Sequence, residues 1–431
     1  MSHSTHWRPL LDGPEAATAD HIVREIAEAL RHPAPALMYD ERSGIQFSSL
    51  GARDPWIALL LCYLADAHPN EGYEEAAAAL FEQAVDALAT TTMGPALHDG
   101  IAGVAWSAAH LEGRLFEPDE TGATEAVDLA LSKLVCQGPW LGHYDLISGL
   151  VGFGVYFLER LPLETAARNL ECVVERLGEL AEHRSSGVTW RTPPELLPAS
   201  QRELYPRGYY NLGVAHGVPG VVALLGEVCE ANIAVARARP LLDGAVEWLM
   251  KQGRPAEATS WFPPWVAPGA EPGPARLGWC YGDLGIAAAL LSAARRLNER
   301  RWEQYALELA HATARRRATD TTVKDACLCH GAAGVGHLFN RLFQATGAPG
   351  LKEAALYWYE RSFTYRKIGG GIAGYRTHRP GAGAGGAWVE DPGFLTGAAG
   401  VALAQLAATC CTEPDWDRLL LASIPPGRPS A

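Results

Sequence analysis

Two kinds of apolar pattern alternate along this chain. In one, apolar positions recur at helical spacing with polar residues between them, as over residues 20–31 and 73–88, which predicts helices with one buried face. In the other, a short run rich in Gly, Ala and Val carries almost no charge: residues 100–111, 149–160, 217–229, 285–297, 331–344 and 397–409. A helix that is apolar all round is buried all round. Residues 56–65 add a further apolar helix nearer the N-terminus.

The apolar runs follow a Gly-x-x-Gly signature. It occurs at Gly100, Gly149, Gly217, Gly282, Gly331 and Gly397, and Gly51-Ala52-Arg53-Asp54 is a degenerate further copy. The first glycines of successive copies are 49, 49, 68, 65, 49 and 66 residues apart. One such signature carries no weight; six in register mark an internal repeat. The repeating unit is a pair of helices, and seven pairs either stack as an open solenoid or close into a ring. An open solenoid needs polar capping repeats, and the last run, residues 396–411, is not polar. The predicted fold is therefore all-α: an α/α toroid of seven inner apolar helices and seven outer amphipathic ones, one domain over residues 1–431. Extra length lies in residues 184–210, 253–275 and 368–393. Loops this long are uncommon and often functional. Residues 184–210, with four prolines and Trp190, Tyr205, Tyr209 and Tyr210, are a candidate small insertion on the toroid rim.

Composition narrows the function. With 48% hydrophobic and 20% charged residues the chain can bury a large core, which excludes a disordered protein. A net charge of −13 without a basic patch argues against nucleic acid as a partner. Arg315-Arg316-Arg317 reads as a solvated helix C-terminus. No apolar run approaches the ~18–20 residues of a membrane span, and the N-terminus, with His3, His6 and Arg8, lacks a secretory signal's apolar core. Nine cysteines in a chain of this length do not suggest a secreted disulfide framework. A cytoplasmic setting is expected, with Cys62, Cys136, Cys172, Cys229, Cys410 and Cys411 as buried thiols on apolar faces.

The candidate chemistry lies in the turns before the apolar helices. Cys280 and Cys329 each stand two residues before a repeat glycine, while His330 and His216 each stand one before. If the repeats are equivalent, these side chains leave equivalent turns and converge. Two thiolates and an imidazole suit Zn2+, and three protein ligands leave its fourth position open, as in a catalytic site. Cys327, out of register, is an alternative fourth ligand or a replacement for Cys329. An open site of this kind could ionise water or bind a substrate thiol. The absence of a H-E-x-x-H motif argues against a hydrolase. Asp283 reads as a residue that holds a turn or cap, His98 as a turn residue, and His143 and His337 as structural.

Trp279-Cys280-Tyr281-Gly282, Cys329-His330-Gly331 and Ala215-His216-Gly217, spread over the repeats, resemble the lantibiotic cyclases, the lanthionine synthetase C family, over nearly the whole chain. The resemblance implies an α/α toroid with a central zinc held by Cys280, Cys329 and His330. It implies addition of peptide cysteine thiols to dehydroalanine or dehydrobutyrine, closing thioether rings. It makes His216 the acid/base group and Asp145, Arg276 and Tyr281 further active-site residues. The bland alternatives are an ion-pair role for Arg276, a turn cap for Asp145 and packing for Tyr281. The implied partners are a dehydrated precursor peptide of leader plus core and a separate dehydratase, with a transporter as a further candidate and membrane association only through such a complex. Two other functions stay open: addition of glutathione to dehydrated residues, and a non-catalytic zinc-stabilised scaffold for a dehydratase and its peptide.

Overall fold

The computed structural model describes residues 7–31, 50–117, 123–254, 259–379 and 386–427. Among them, long and short helices alternate as the pattern requires. The amphipathic set is Gly13–Arg31, Tyr73–Thr90, Ala123–Cys136, Glu164–Leu180, Val235–Met250, Arg300–Ala314 and Pro349–Thr364. The apolar set is Leu50–Ala67, Ile101–Leu111, Leu150–Glu159, Val218–Glu230, Asp283–Leu297, Ala332–Thr346 and Ala398–Thr409. Nearly every residue of Val218–Glu230 and of Asp283–Leu297 is buried, as expected of helices with no polar face. Glu164–Leu180 buries only one stripe, including Leu170, Val173, Val174 and Leu177. The helix predicted over 20–31 begins earlier, at Gly13. The degenerate glycine signature at 51–54 falls inside Leu50–Ala67, while His3 and His6 lie outside the described residues.

The chain contacts group into two compact units. The first takes residues 1–124, 323–340 and 352–416. In it, Leu50–Ala67 packs on Tyr73–Thr90, Ile101–Leu111 and Ala398–Thr409, and Gly13–Arg31 packs on Ala398–Thr409. The first repeat thus meets the last. Leu10 and Leu11 N–H both donate to Ala408 O, at 2.8 and 3.0 Å, and Trp7 Nε1–H donates to Ala407 O at 2.8 Å. An open solenoid would leave these ends apart and capped. The second unit takes residues 125–322, 341–351 and 417–431. There Val218–Glu230 packs on Leu150–Glu159, Val235–Met250 and Asp283–Leu297.

The glycine signature has a physical cause. Against most of these glycines lies the carbonyl of the residue six positions earlier, while Gly331 meets Cys327 N and the Asp325 carboxylate instead. A Cβ at Gly149 would sit 1.9 Å from His143 O, at Gly220 2.4 Å from Val214 O, at Gly334 1.7 Å from Leu328 O and at Gly400 1.8 Å from Phe394 O. The loop before each helix folds back over its first turn so closely that no side chain fits between. In return, loop carbonyls take the N–H groups that a helix N-terminus leaves unpaired. Leu150, Val151 and Gly152 N–H donate to His143, Tyr144 and Asp145 O, at 3.2, 3.0 and 3.2 Å. Ala332, Ala333 and Gly334 repeat the ladder onto Asp325, Ala326 and Cys327, and Ala398, Ala399 and Gly400 onto Asp391, Pro392 and Gly393. Gly282 needs glycine twice over, since its φ is 101° and its Cβ would meet Arg276 O at 2.0 Å.

Two expectations are corrected. Cys136 and Cys172 form a disulfide, with Cα atoms 5.3 Å apart, because the helices Ala123–Cys136 and Glu164–Leu180 bring them face to face; they are not separate buried thiols. Cys411 is exposed and Cys410 half-buried, whereas Cys62 and Cys229 are buried as expected. Arg316 is not a solvated helix end. It is buried and donates to Ala275 O at 3.2 Å, with Asp283 4.0 Å away, because the 259–275 loop folds over that helix terminus.

The return loops make a sharp prediction. Gly400→Ala should cost about 4 kcal/mol or more, at the upper end for a point substitution, because its Cβ would meet backbone. Gly350→Ala, with nothing within 4 Å of the added carbon, should be neutral or stabilise by up to ~1 kcal/mol. Equilibrium unfolding of the two variants checks the contrast; equal losses would refute the close-approach explanation.

Candidate functional site

The return loops fix the side chains that the sequence singled out. Counted back from the repeat glycine, the position one before carries His216, Tyr281 and His330. The position two before carries Cys280 and Cys329. The sixth position back is an Asx site in three turns. Asn211, Asp325 and Asp391 each accept, through Oδ1, the N–H two residues on, at 2.8, 3.1 and 2.8 Å. This side-chain turn starts the loop. An Asp or Asn six residues before the repeat glycine, present in three of the six turns, was a readable signal that sequence reasoning missed.

In the second unit, Asp145 and His216 meet. Asp145 Oδ2 lies 2.7 Å from His216 Nδ1, and Asp145 Oδ1 accepts Ser148 N–H at 2.8 Å. The carboxylate thus caps its own turn and also reaches the imidazole of the next repeat. The two turns are joined directly, since Leu146 N–H donates to Ala215 O at 3.2 Å. With Nδ1 against a carboxylate, the proton sits on Nδ1 and Nε2 is left for chemistry. The His216 side chain is 41% exposed while that of Asp145 is 6% exposed, so the pair has a buried anchor and an open end.

Tyr281 stands close by, its ring 6.4 Å from that of His216. Its hydroxyl accepts Asn211 Nδ2–H at 3.0 Å, and burial pushes its pKa up, so it stays a neutral phenol. Ala215 N–H to Cys280 O, at 3.5 Å, ties the His216 turn to the Cys280 turn. Cys280 is 5% exposed. Arg276 occupies the sixth position back in its turn and is half-buried, close enough for its charge to favour a Tyr281 phenolate.

His143 needs a corrected reading. It is half-exposed, with Nδ1 3.9 Å from Asp145 Oδ2, and it borders the same recess as His216. That recess, about 240 Å³, is walled on one side by Trp140, Leu141, His143 and Tyr144. Its other wall is Glu182 and, from the extra segment, Arg191, Thr192, Pro193 and Leu196. Sequence reasoning named residues 184–210 for their length, prolines and aromatics, not for a recess. They form a hairpin, Glu182–Arg184 with Gly187–Thr189, and end in Tyr210–Asn211, which pairs with Trp265–Val266. Tyr205 and Tyr209 pack on Trp265 at 5.8 Å between ring centroids. Nothing in an isolated sequence tells which loop residues face a recess and which pack on a neighbouring loop.

Asp283 holds a loop, as read from the sequence. It is buried, and its two oxygens accept Trp261 and Phe262 N–H at 3.0 Å each. His98 and His337 are buried against rings, His337 4.7 Å from Trp416 and His98 6.1 Å from Trp56.

In the first unit, Cys329 and His330 sit on one turn, and Cys329 N–H donates to Leu395 O at 2.7 Å. Groups of Cys and His that could hold a metal ion are present in the chain. One of them lies entirely on this turn: ligand atoms of Asp325, Cys327 and His330 are all within 4.8 Å of one another.

The chain matches the family described as lanthionine synthetase C-like protein over residues 55–421, and it belongs to that family. Among solved structures it resembles a protein described as nisin cyclase, with a TM-score of 0.73, 19% identity, and coverage of 94% of this chain and 98% of that one. This likeness shows the fold: the protein is all-α, in keeping with the α/α toroid expected from the repeats. An unsaturated glucuronyl hydrolase from Streptococcus agalactiae covers 94% of both chains at 10% identity, but its TM-score is only 0.40. No curated protein matches the chain. Among the described residues no helix is long and apolar enough to cross a membrane.

The recess around His216 works against its charged form, but the hydrogen bond and negative charge of Asp145 outweigh it and raise the imidazole pKa. Asp145→Asn should therefore lower the His216 pKa in an NMR titration. A raised histidine pKa adds stability that is complete below the unfolded value of about 6.5 and is lost as pH rises through the folded value. Wild type should lose more stability than Asp145→Asn over that window, read from urea unfolding at a series of pH values. An unchanged His216 pKa in the variant would show that Asp145 does not govern it.

Proposed function

We propose that this protein is a zinc-dependent peptide cyclase. It adds cysteine thiols to dehydroalanine and dehydrobutyrine residues of a dehydrated precursor peptide, forming lanthionine and methyllanthionine rings. Membership in the lanthionine synthetase C-like family supports this reading. The observation that carries it is the Asp145–His216 pair at a recess bordered by the 184–210 segment.

The proposed ligands are Cys280, Cys329 and His330, the set that the family resemblance implies. Two thiols, 5% and 8% exposed, with one imidazole fit a borderline-soft divalent ion that needs no fixed geometry. A bound zinc ion would supply a Lewis acid that lowers a peptide thiol's pKa from its usual ~8.5. The chain's own residues do the rest. His216 receives the thiol proton on Nε2 while Asp145 holds Nδ1. Sulfur bonds to the β-carbon, the C=C π pair moves toward the adjoining carbonyl, and Arg276 offsets the charge that develops there. His216 then returns the proton to the α-carbon, so the addition is redox-neutral and consumes no co-reactant. Tyr281, neutral and held by Asn211, shapes the pocket beside His216. The segment 184–210 is the insertion of a single toroid domain over residues 1–431 and guides the peptide past the recess. The partners are the leader-bearing peptide, a separate dehydratase that prepares it, and a transporter in the same cytoplasmic assembly.

The test is co-expression with a dehydrated precursor, followed by alkylation of unreacted thiols and mass spectrometry. Wild type should leave no alkylated ring cysteine. Cys280→Ala should abolish ring closure with the helical circular dichroism intact. His216→Ala should slow closure by about 10²–10⁴-fold, the range for loss of a general acid–base group. Unfolding of Cys280→Ala would favour the scaffold reading, and glutathione adducts in place of rings would favour the glutathione reading.

A further inference from the structure

The turn that carries Cys329 and His330 holds two more donors than the proposed zinc site uses. Asp325 is 1% exposed and Cys327 2% exposed. The Asp325 carboxylate is locked in place from two directions. Oδ1 accepts Cys327 N–H at 3.1 Å and Oδ2 accepts His378 N–H at 2.9 Å. Each oxygen keeps a further lone pair. The ligand atoms of Asp325, Cys327 and His330 lie within 4.8 Å of one another, close enough to share one ion.

A thiol at position 327 is not part of the turn's design. Four residues before the repeat glycine, the other turns carry Gly213, Gly278, Gly393 and Ala96, so the loop itself asks for little or no side chain there. The two exceptions are Asp145 and Cys327. Asp145 uses that position to reach His216. Cys327, leaving an equivalent turn, reaches toward His330 instead. A carboxylate, a thiolate and an imidazole form a mixed oxygen, sulfur and nitrogen set that zinc accepts. One fewer thiolate makes it a weaker site for a soft ion than two thiolates with the same imidazole.

We propose that Asp325, Cys327 and His330 are a second donor set for the same divalent ion, a loading position from which the ion passes to Cys280, Cys329 and His330. This rests on the zinc reading above. His330 is common to both sets, so the ion changes place without leaving the imidazole, and the chain binds one ion at a time. Asp325 and Cys327 are positioning ligands outside the reaction itself.

Apo protein titrated with Co2+ separates the two claims. Wild type should bind one Co2+ per chain with a thiolate-to-metal charge-transfer band; no binding would sink the zinc reading itself. Cys280→Ser/Cys329→Ser, which removes both thiols of the catalytic set, should still bind one Co2+ with a weaker thiolate band. Adding Cys327→Ser should remove that band. A double variant with no thiolate band, or wild type binding two ions, would overturn the second set and leave the first standing. Should the double variant misfold, Cys327→Ser alone decides. In stopped-flow mixing it should take up Co2+ several-fold more slowly than wild type and end with the same stoichiometry. An unchanged uptake rate would refute the loading role.

Discussion

The structure depends on a backbone contact: a loop carbonyl pressed against a glycine six residues later, at the start of the inner helices that follow a Gly-x-x-Gly turn. Helix N-termini carry unpaired N–H groups, and proteins usually satisfy them with a side-chain cap. Here the caps at Gly100, Gly149, Gly217, Gly282 and Gly397 make no side-chain hydrogen bond. Loop carbonyls do the work in the turns at Gly149, Gly331 and Gly397. Since the cap is made of backbone, the side chains on the loop are released from that duty and can differ from one repeat to the next.

That division explains what was legible in the sequence. The close approach leaves room only for hydrogen at the two glycines, so the scaffold announced itself as a spaced Gly-x-x-Gly. The helices followed from burial, because inner helices touch protein on every side. Counting back from the repeat glycine also made Cys280, Cys329, His330 and His216 readable as equivalent positions. Partners set by tertiary contact were not readable. The Asp145 carboxylate could have ended as a cap or as an imidazole's partner, and the structure gives it both contacts, one through each oxygen. Arg316 looked solvated because a charge run normally is, and only the 259–275 loop, pinned by Asp283, makes it buried. Cys136 and Cys172 are 36 residues apart on separate helices, and no local pattern pairs them.

Electrostatics around His216 follow from the same loops. A carboxylate buried at 6% exposure is costly unless its oxygens are paired. Ser148 N–H pairs one and the His216 imidazole the other, which favours a proton on Nδ1 and raises the imidazole pKa. His143, 3.9 Å from the same oxygen, adds a second imidazole at longer range. The carboxylate is therefore shared unequally, and the nearer ring sets its orientation. Neutral Tyr281 beside the pair keeps another anion away from it. The acid–base role proposed for His216 needs this balance, since a stronger acid would not recover its proton and a weaker one would not give it up.

The low identity of 19% beside a TM-score of 0.73 follows from the backbone nature of the constraint. Glycines and carbonyls hold the repeats, so most other positions can change without moving the turns. Fold alone then says little about chemistry. The position before the repeat glycine carries Asp99, Ser148, His216, Tyr281, His330 and Thr396 in turn, on loops of one kind. Three of the six bear rings suited to proton transfer, metal binding or pocket shaping, and they fall in the consecutive repeats opened by Gly217, Gly282 and Gly331. A scaffold that needed those side chains for stability would have repeated them at every turn. Their restriction to three adjacent repeats sets these side chains apart from the glycines that serve the fold.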